Sequence, residues 1–71
     1  LKTAIWHYTG VLRLQPAHVN AHVNLGVLLA RQERLDEAVV HFNKALMIHP
    51  GHAEATYNLN RALDLQRKKI P

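Results

Sequence analysis

A chain of 71 residues forms at most one small domain, and a core of that size is only marginally stable without extra support. The absence of cysteine excludes disulfides and thiolate metal sites and leaves no sign of an oxidising compartment. The formal net charge of +4 comes from scattered basic residues, except for Arg67, Lys68 and Lys69 near the C-terminus, where cations suit the negative end of a helix dipole.

The apolar residues recur at helical spacing, which predicts four helices. The first runs from about Leu1 to Leu14, with Ala4, Ile5, Tyr8, Val11 and Leu12 on one face, and Pro16 stops it. The second runs from about Val19 to Gln32 and presents Ala21, Leu25, Leu28 and Leu29. The third opens near Leu35 and Asp36, whose carboxylate favours a helix N-terminus. It carries Ala38, Val39, Phe42, Ala45 and Leu46 until the stretch from His49 to His52 ends it. The fourth begins near Ala53 and uses Ala55, Leu59, Ala62 and Leu63 until the basic tail. Nothing alternates with period two over a convincing length, so the fold class is all-α. Leu25, Leu29, Phe42 and Leu46 are the expected core.

A longer period lies over the helical one. Pro16 and Pro50 are 34 residues apart, and the same offset pairs Leu1 with Leu35, Ala4 with Ala38, His7 with His41, Tyr8 with Phe42, Leu12 with Leu46 and His18 with His52. It continues through Ala21 and Ala55, Asn24 and Asn58, Leu25 and Leu59, and Leu29 and Leu63. With Leu25-Gly26, Leu29, Ala38, Phe42, Ala45 and Pro50 in their places, the sequence resembles the tetratricopeptide repeat family. Its unit is a helix-turn-helix of 34 residues, stacked into a right-handed α-solenoid. Small residues have a physical task in this pattern: Gly26 and Ala38 let antiparallel helices approach, Ala45 leaves room for the next unit, and Pro50 stops the second helix. The register makes residues 1–18 the second helix of one unit, 19–52 a complete unit, and 53–71 the first helix of a third with a basic tail. Three departures from the pattern predict looser packing between hairpin partners: His22 and Thr56 at an aromatic position, Asn60 in place of glycine, and Glu33-Arg34 in place of small turn residues.

Few residues point to chemistry. Serine is absent, and Thr3, Thr9, Thr56, Tyr8 and Tyr57 lack a setting for nucleophilic catalysis. The carboxylates Asp36, Glu37 and Glu54 are explained by helix N-termini, and no nucleophile, base and orienting group converge, so no enzyme activity and no cofactor are expected. His18 with His22 and His49 with His52 have spacings that can serve a metal, but each pair straddles a loop and a helix start. They read as surface residues, and no metal site is expected. No apolar run approaches the ~20 residues that span a bilayer, and no signal-peptide layout opens the chain. A soluble protein with the cytoplasm as its default compartment and no membrane partner is therefore expected. Because the chain starts at leucine, it is also expected to be a piece of something longer. Nucleic acid is the least favoured partner, since no aromatic stacking platform accompanies the charges.

Surface recognition remains. In proteins of the family that this chain resembles, the first helices of the units line a concave groove for an extended peptide or a partner helix. Carried over, that groove comprises Asn20, Val23, Asn24, Val27 and Arg31 from the second helix and Glu54, Tyr57, Asn58, Arg61 and Asp64 from the fourth. Asn24 and Asn58 are equivalent, and two side-chain amides on adjacent helices can bond a ligand backbone whatever its side chains. Glu54 and Asn58 stand where a clamp for peptide C-termini would need cations, which speaks against that variety. A different expectation is self-association, as a closed dimer or a stacked oligomer. Trp6 and Val40 would form an apolar stripe on the convex side, joined by Tyr8 and Leu12 at one end and Leu59 and Leu63 at the other.

Overall fold

The computed structural model describes residues 2–69, and these form four α-helices and no strand. They are α1 (Lys2–Leu14), α2 (Val19–Arg31), α3 (Leu35–Ile48) and α4 (Ala53–Lys69). Leu1, expected to open the first helix and to pair with Leu35 in the repeat, lies outside the described residues, as do Ile70 and Pro71 of the expected last unit. Where the sequence predicts an end at the basic tail, α4 continues through Arg67, Lys68 and Lys69. Those cations favour the helix C-terminus, and two of them are held by carboxylates, Arg67 by Asp64 at 3.0 Å and Lys69 by Glu33 at 2.9 Å.

The connections are short, and the backbone groups at the helix ends are engaged. Nδ1 of His18 accepts a hydrogen bond from the amide of Ala21 at 3.0 Å, and Nδ1 of His52 accepts from Ala55 at 3.1 Å. Equivalent histidines thus cap α2 and α4, a task usually given to Ser, Thr, Asp or Asn. Both are half-buried, so they are not the plain surface residues that the sequence suggests. Between α2 and α3 the amide of Arg34 bonds the carbonyl of Leu29 at 2.9 Å and the amide of Glu33 bonds that of Ala30 at 3.0 Å. This is the Schellman arrangement, and it places Glu33 in the left-handed region at φ 59°.

The four helices pack as a row, thin in one direction, with overall extents of 39 × 29 × 14 Å. α2 lies against α1 and α3, α3 also packs on α4, and α2 and α4 touch more lightly. Leu25, Leu29, Leu35, Ala38, Phe42 and Ala62 form the main core, covered by Ile5, Tyr8, Leu12, Val27, Ala30, Val39 and Leu59. A second cluster joins Val23, Ala45 and Ala55, with Val19 and Leu46 against it. Leu46 is therefore half-buried and not central, whereas Leu25, Leu29 and Phe42 are buried as expected. The tightest contact is between Gly26 and Phe42: the aromatic ring occupies the space that a β-carbon on Gly26 would need.

The looser packing expected at His22 does not occur. His22 is 4% exposed and reaches two partners, His41 on α3 and the carbonyl of Pro16 in the α1–α2 turn. Two hydrogen bonds replace the apolar contacts of an aromatic ring. Asn60, by contrast, is exposed, because no described helix covers that side of α4.

Candidate functional site

The first helices of the predicted units, α2 and α4, share one side of the row, where two recesses lie next to each other. One, of about 340 Å³, is lined by Val27, Ala30, Arg31, Phe42, Asn58, Arg61, Ala62 and Leu65. The other, of about 260 Å³, is lined by Ala4, Tyr8, Asn24, Val27, Leu28 and Arg31. Val27 and Arg31 belong to both and form the ridge between them. Asn24 therefore faces one recess and Asn58 the other. Both recesses combine apolar side chains with amide and guanidinium groups.

Of the ten residues expected in the groove, Asn24, Val27, Arg31, Asn58 and Arg61 are brought together here. Val23 is removed from the set: it is 2% exposed and packs with Ala45 and Ala55, so it supports α2 from beneath and offers no side chain to a ligand. Asn20 lines a separate recess of about 430 Å³ with His18, Val19, His49 and His52. Glu54, Tyr57 and Asp64 are exposed but line neither groove recess. Tyr57 instead lies under the guanidinium of Arg61, 5.9 Å from its ring centre, and Asp64 is engaged by Arg67. Sequence reasoning missed Ala30 and Leu65, and it missed Ala4 and Tyr8, which come from α1. The inward face of α1 was legible, but its share in the concave side depends on how α1 crosses α2.

Charge distinguishes this groove from the largest recess, about 550 Å³, at the α2–α3 turn. There the ionic groups satisfy one another: Arg34 donates two hydrogen bonds to Glu37 at 2.9 and 2.8 Å, Lys69 pairs with Glu33, and Gln66 donates to Asp36. The hydrogen bond from Arg34 holds the Glu37 carboxyl below the usual range, and Lys69 does the same for Glu33. Among the described residues Arg31 and Arg61 enter no ion pair, so the groove keeps two guanidinium groups available.

The residues expected to associate differ in exposure. Trp6 is 80% exposed and Val40 49%, both on the outer helices, while Leu63 is 40% exposed. Tyr8, Leu12 and Leu59 are half-buried against the main core and offer a partner less surface than the sequence suggests. Leu14 and Met47, not among the residues expected to associate, are more exposed than any of these. Among the described residues no group of three or more histidine or carboxylate side chains is placed to hold a metal ion. No helix among them is long and apolar enough to cross a membrane.

A hairpin with glycine against an aromatic ring, in a sequence with a 34-residue period, is the arrangement to which a known family corresponds. The tetratricopeptide repeat family model matches residues 19–52. That segment is a tetratricopeptide repeat. Comparison with curated proteins gives no match. Tetratricopeptide repeats generally mediate contacts between proteins and are typically interaction modules without catalytic activity of their own.

Proposed function

We propose that the chain is a non-enzymatic scaffold segment whose α2 and α4 side holds an extended peptide or a partner helix. One observation carries this reading. Asn24, Val27, Arg31, Asn58 and Arg61 line two adjoining recesses of mixed apolar and polar character, and among the described residues the two arginines there have no carboxylate partner. The amides bond the ligand backbone and the arginines choose among ligands by charge. In this reading residues 1–18 and 53–71 are halves of neighbouring units, and the units stack in the right-handed sense of the family.

The test is a titration of the protein with a panel of extended peptides, followed by amide and side-chain shifts. Shifts centred on Asn24, Asn58 and Arg61, weakened at least tenfold in affinity by Asn24→Ala with Asn58→Ala, support the groove. A panel that leaves those signals unmoved overturns it.

The exposure of Trp6 and Val40 favours a second reading, in which the convex stripe makes the chain a self-associating module. Saturable peptide binding by a strict monomer would discard it.

A further inference from the structure

Among the described residues His22 is the buried polar side chain, and its hydrogen bonds determine where its proton sits. The carbonyl of Pro16 accepts only, so the 2.7 Å contact places a proton on Nε2 of His22. Neutral His22 then offers a lone pair at Nδ1. The 3.1 Å contact between the two Nδ1 atoms requires that His41 be the donor. The rings are stacked at 28° with their centres 5.3 Å apart, so α2 and α3 are tied by one directed bond and one flat contact.

One additional proton fits this geometry. His22 becomes a donor from both nitrogens, and His41 moves its own proton to Nε2 and accepts at Nδ1. A second proton does not fit, because two N–H groups would then point at each other across 3.1 Å within two cationic rings. The surroundings sharpen the limit. Burial first, then the charge of His22, then Lys44 one turn along α3 hold His41 below the ordinary histidine range. Glu37 acts in the opposite sense, but its carboxylate is already held by Arg34. From the α1–α2 turn the pair meets the neutral carbonyl of Pro16. His18, one turn before His22 on the same side of the chain, is occupied at Nδ1 by the amide of Ala21.

We propose that His22 and His41 form a proton-sensitive latch between α2 and α3, closed with at most one added proton on the pair and released by a second. The sign follows from linkage. Below the ordinary histidine value of about 6.5 the unfolded chain takes a proton on each ring, whereas the folded hairpin resists the second. The contribution of the latch is therefore complete above that value and is lost as the pH falls below it. Each extra proton taken up on unfolding raises the unfolding constant by up to about tenfold per pH unit. The latch does not depend on the groove reading. It bears on the groove only because α2 carries Asn24, Val27 and Arg31.

The capping histidines must be silenced first, and His18→Asn with His52→Asn does so while keeping a good cap. In that background, urea midpoints between pH 5 and pH 8 are expected to fall with acidity, and adding His41→Gln should flatten the fall by the weight of one proton. Should His41→Gln fail to fold, long-range proton–nitrogen spectra of the unaltered protein at pH 8 give a second readout. They are expected to show His22 protonated at Nε2 and His41 at Nδ1, with His41 taking up its further proton below the ordinary histidine range on acidification. An unchanged acid dependence in the folded variant, or a His41 ring that titrates as an ordinary exposed imidazole, would overturn the latch.

Discussion

A β-carbon on Gly26 would stand 2.5 Å from Cε1 of Phe42, whose ring is 1% exposed and enclosed by Leu25, Leu29 and Ala38. Neither side has room to yield. Gly26→Ala is expected to lower stability by ~1–3 kcal/mol, the usual effect of overpacking, although alanine is the better helix former by roughly 1 kcal/mol. At the equivalent position Asn60 is exposed, so Asn60→Gly should lose roughly 1 kcal/mol through helix propensity alone. Urea denaturation of the two variants checks both, and a gain in stability for Asn60→Gly would reveal a helix packed against α4. The close approach at Gly26 was legible because the 34-residue period aligns Leu25-Gly26 with a known packing pattern. The role of His22 was not, since a polar residue in an aromatic slot reads as lost packing until its partner, nineteen residues away across the hairpin, is seen beside it.

Helix ends show a similar division. Pro16 and Pro50 mark where α1 and α3 must stop, and the four helices begin and end within a few residues of the places that periodicity predicts. The rotation of each helix about its own axis is harder to read. Val23 and Asn24 are neighbours in sequence, yet one is buried against Ala45 and Ala55 and the other lines a recess, because the crossing of α4 decides which side of α2 is covered. At the end of α2 the Schellman bonds demand a left-handed residue, and Glu33 meets that demand at φ 59° with a β-carbon that glycine would lack. Glu33→Gly should therefore raise the melting midpoint by roughly 4 °C. The pair with Lys69 that it removes is solvent-exposed and contributes little. Calorimetry settles the matter, and a lower midpoint would mean that the exposed pair outweighs the backbone relief.

For the molecule as a whole, the outer helices carry apolar surface that the fold leaves open. Trp6, Leu14 and Met47 are each about four-fifths exposed, with Val40 half exposed. Single exposed apolar residues are ordinary, but several on the outer helices of so small a body invite a second copy. Sedimentation across a concentration range is expected to show association, with Trp6 emission moving to the red on dilution. A monomeric mass and constant emission at high micromolar concentration would remove the second reading of function and leave the groove.

The turn at Glu33 has one more effect, on the order in which the chain is built. The bonds from Arg34 to Leu29 and from Glu33 to Ala30 close within a few residues, so α2 and α3 meet after a short loop closure and with little entropy to overcome. α1 and α4 flank this hairpin, and neither packs on the other. The two end helices, α1 and α4, can thus detach one at a time, as in an array whose members stack in a row. Amide exchange should rank them accordingly, fastest in α1 and in the last turns of α4 and slowest around Leu25 and Phe42, so that the molecule frays from both sides while its hairpin still holds.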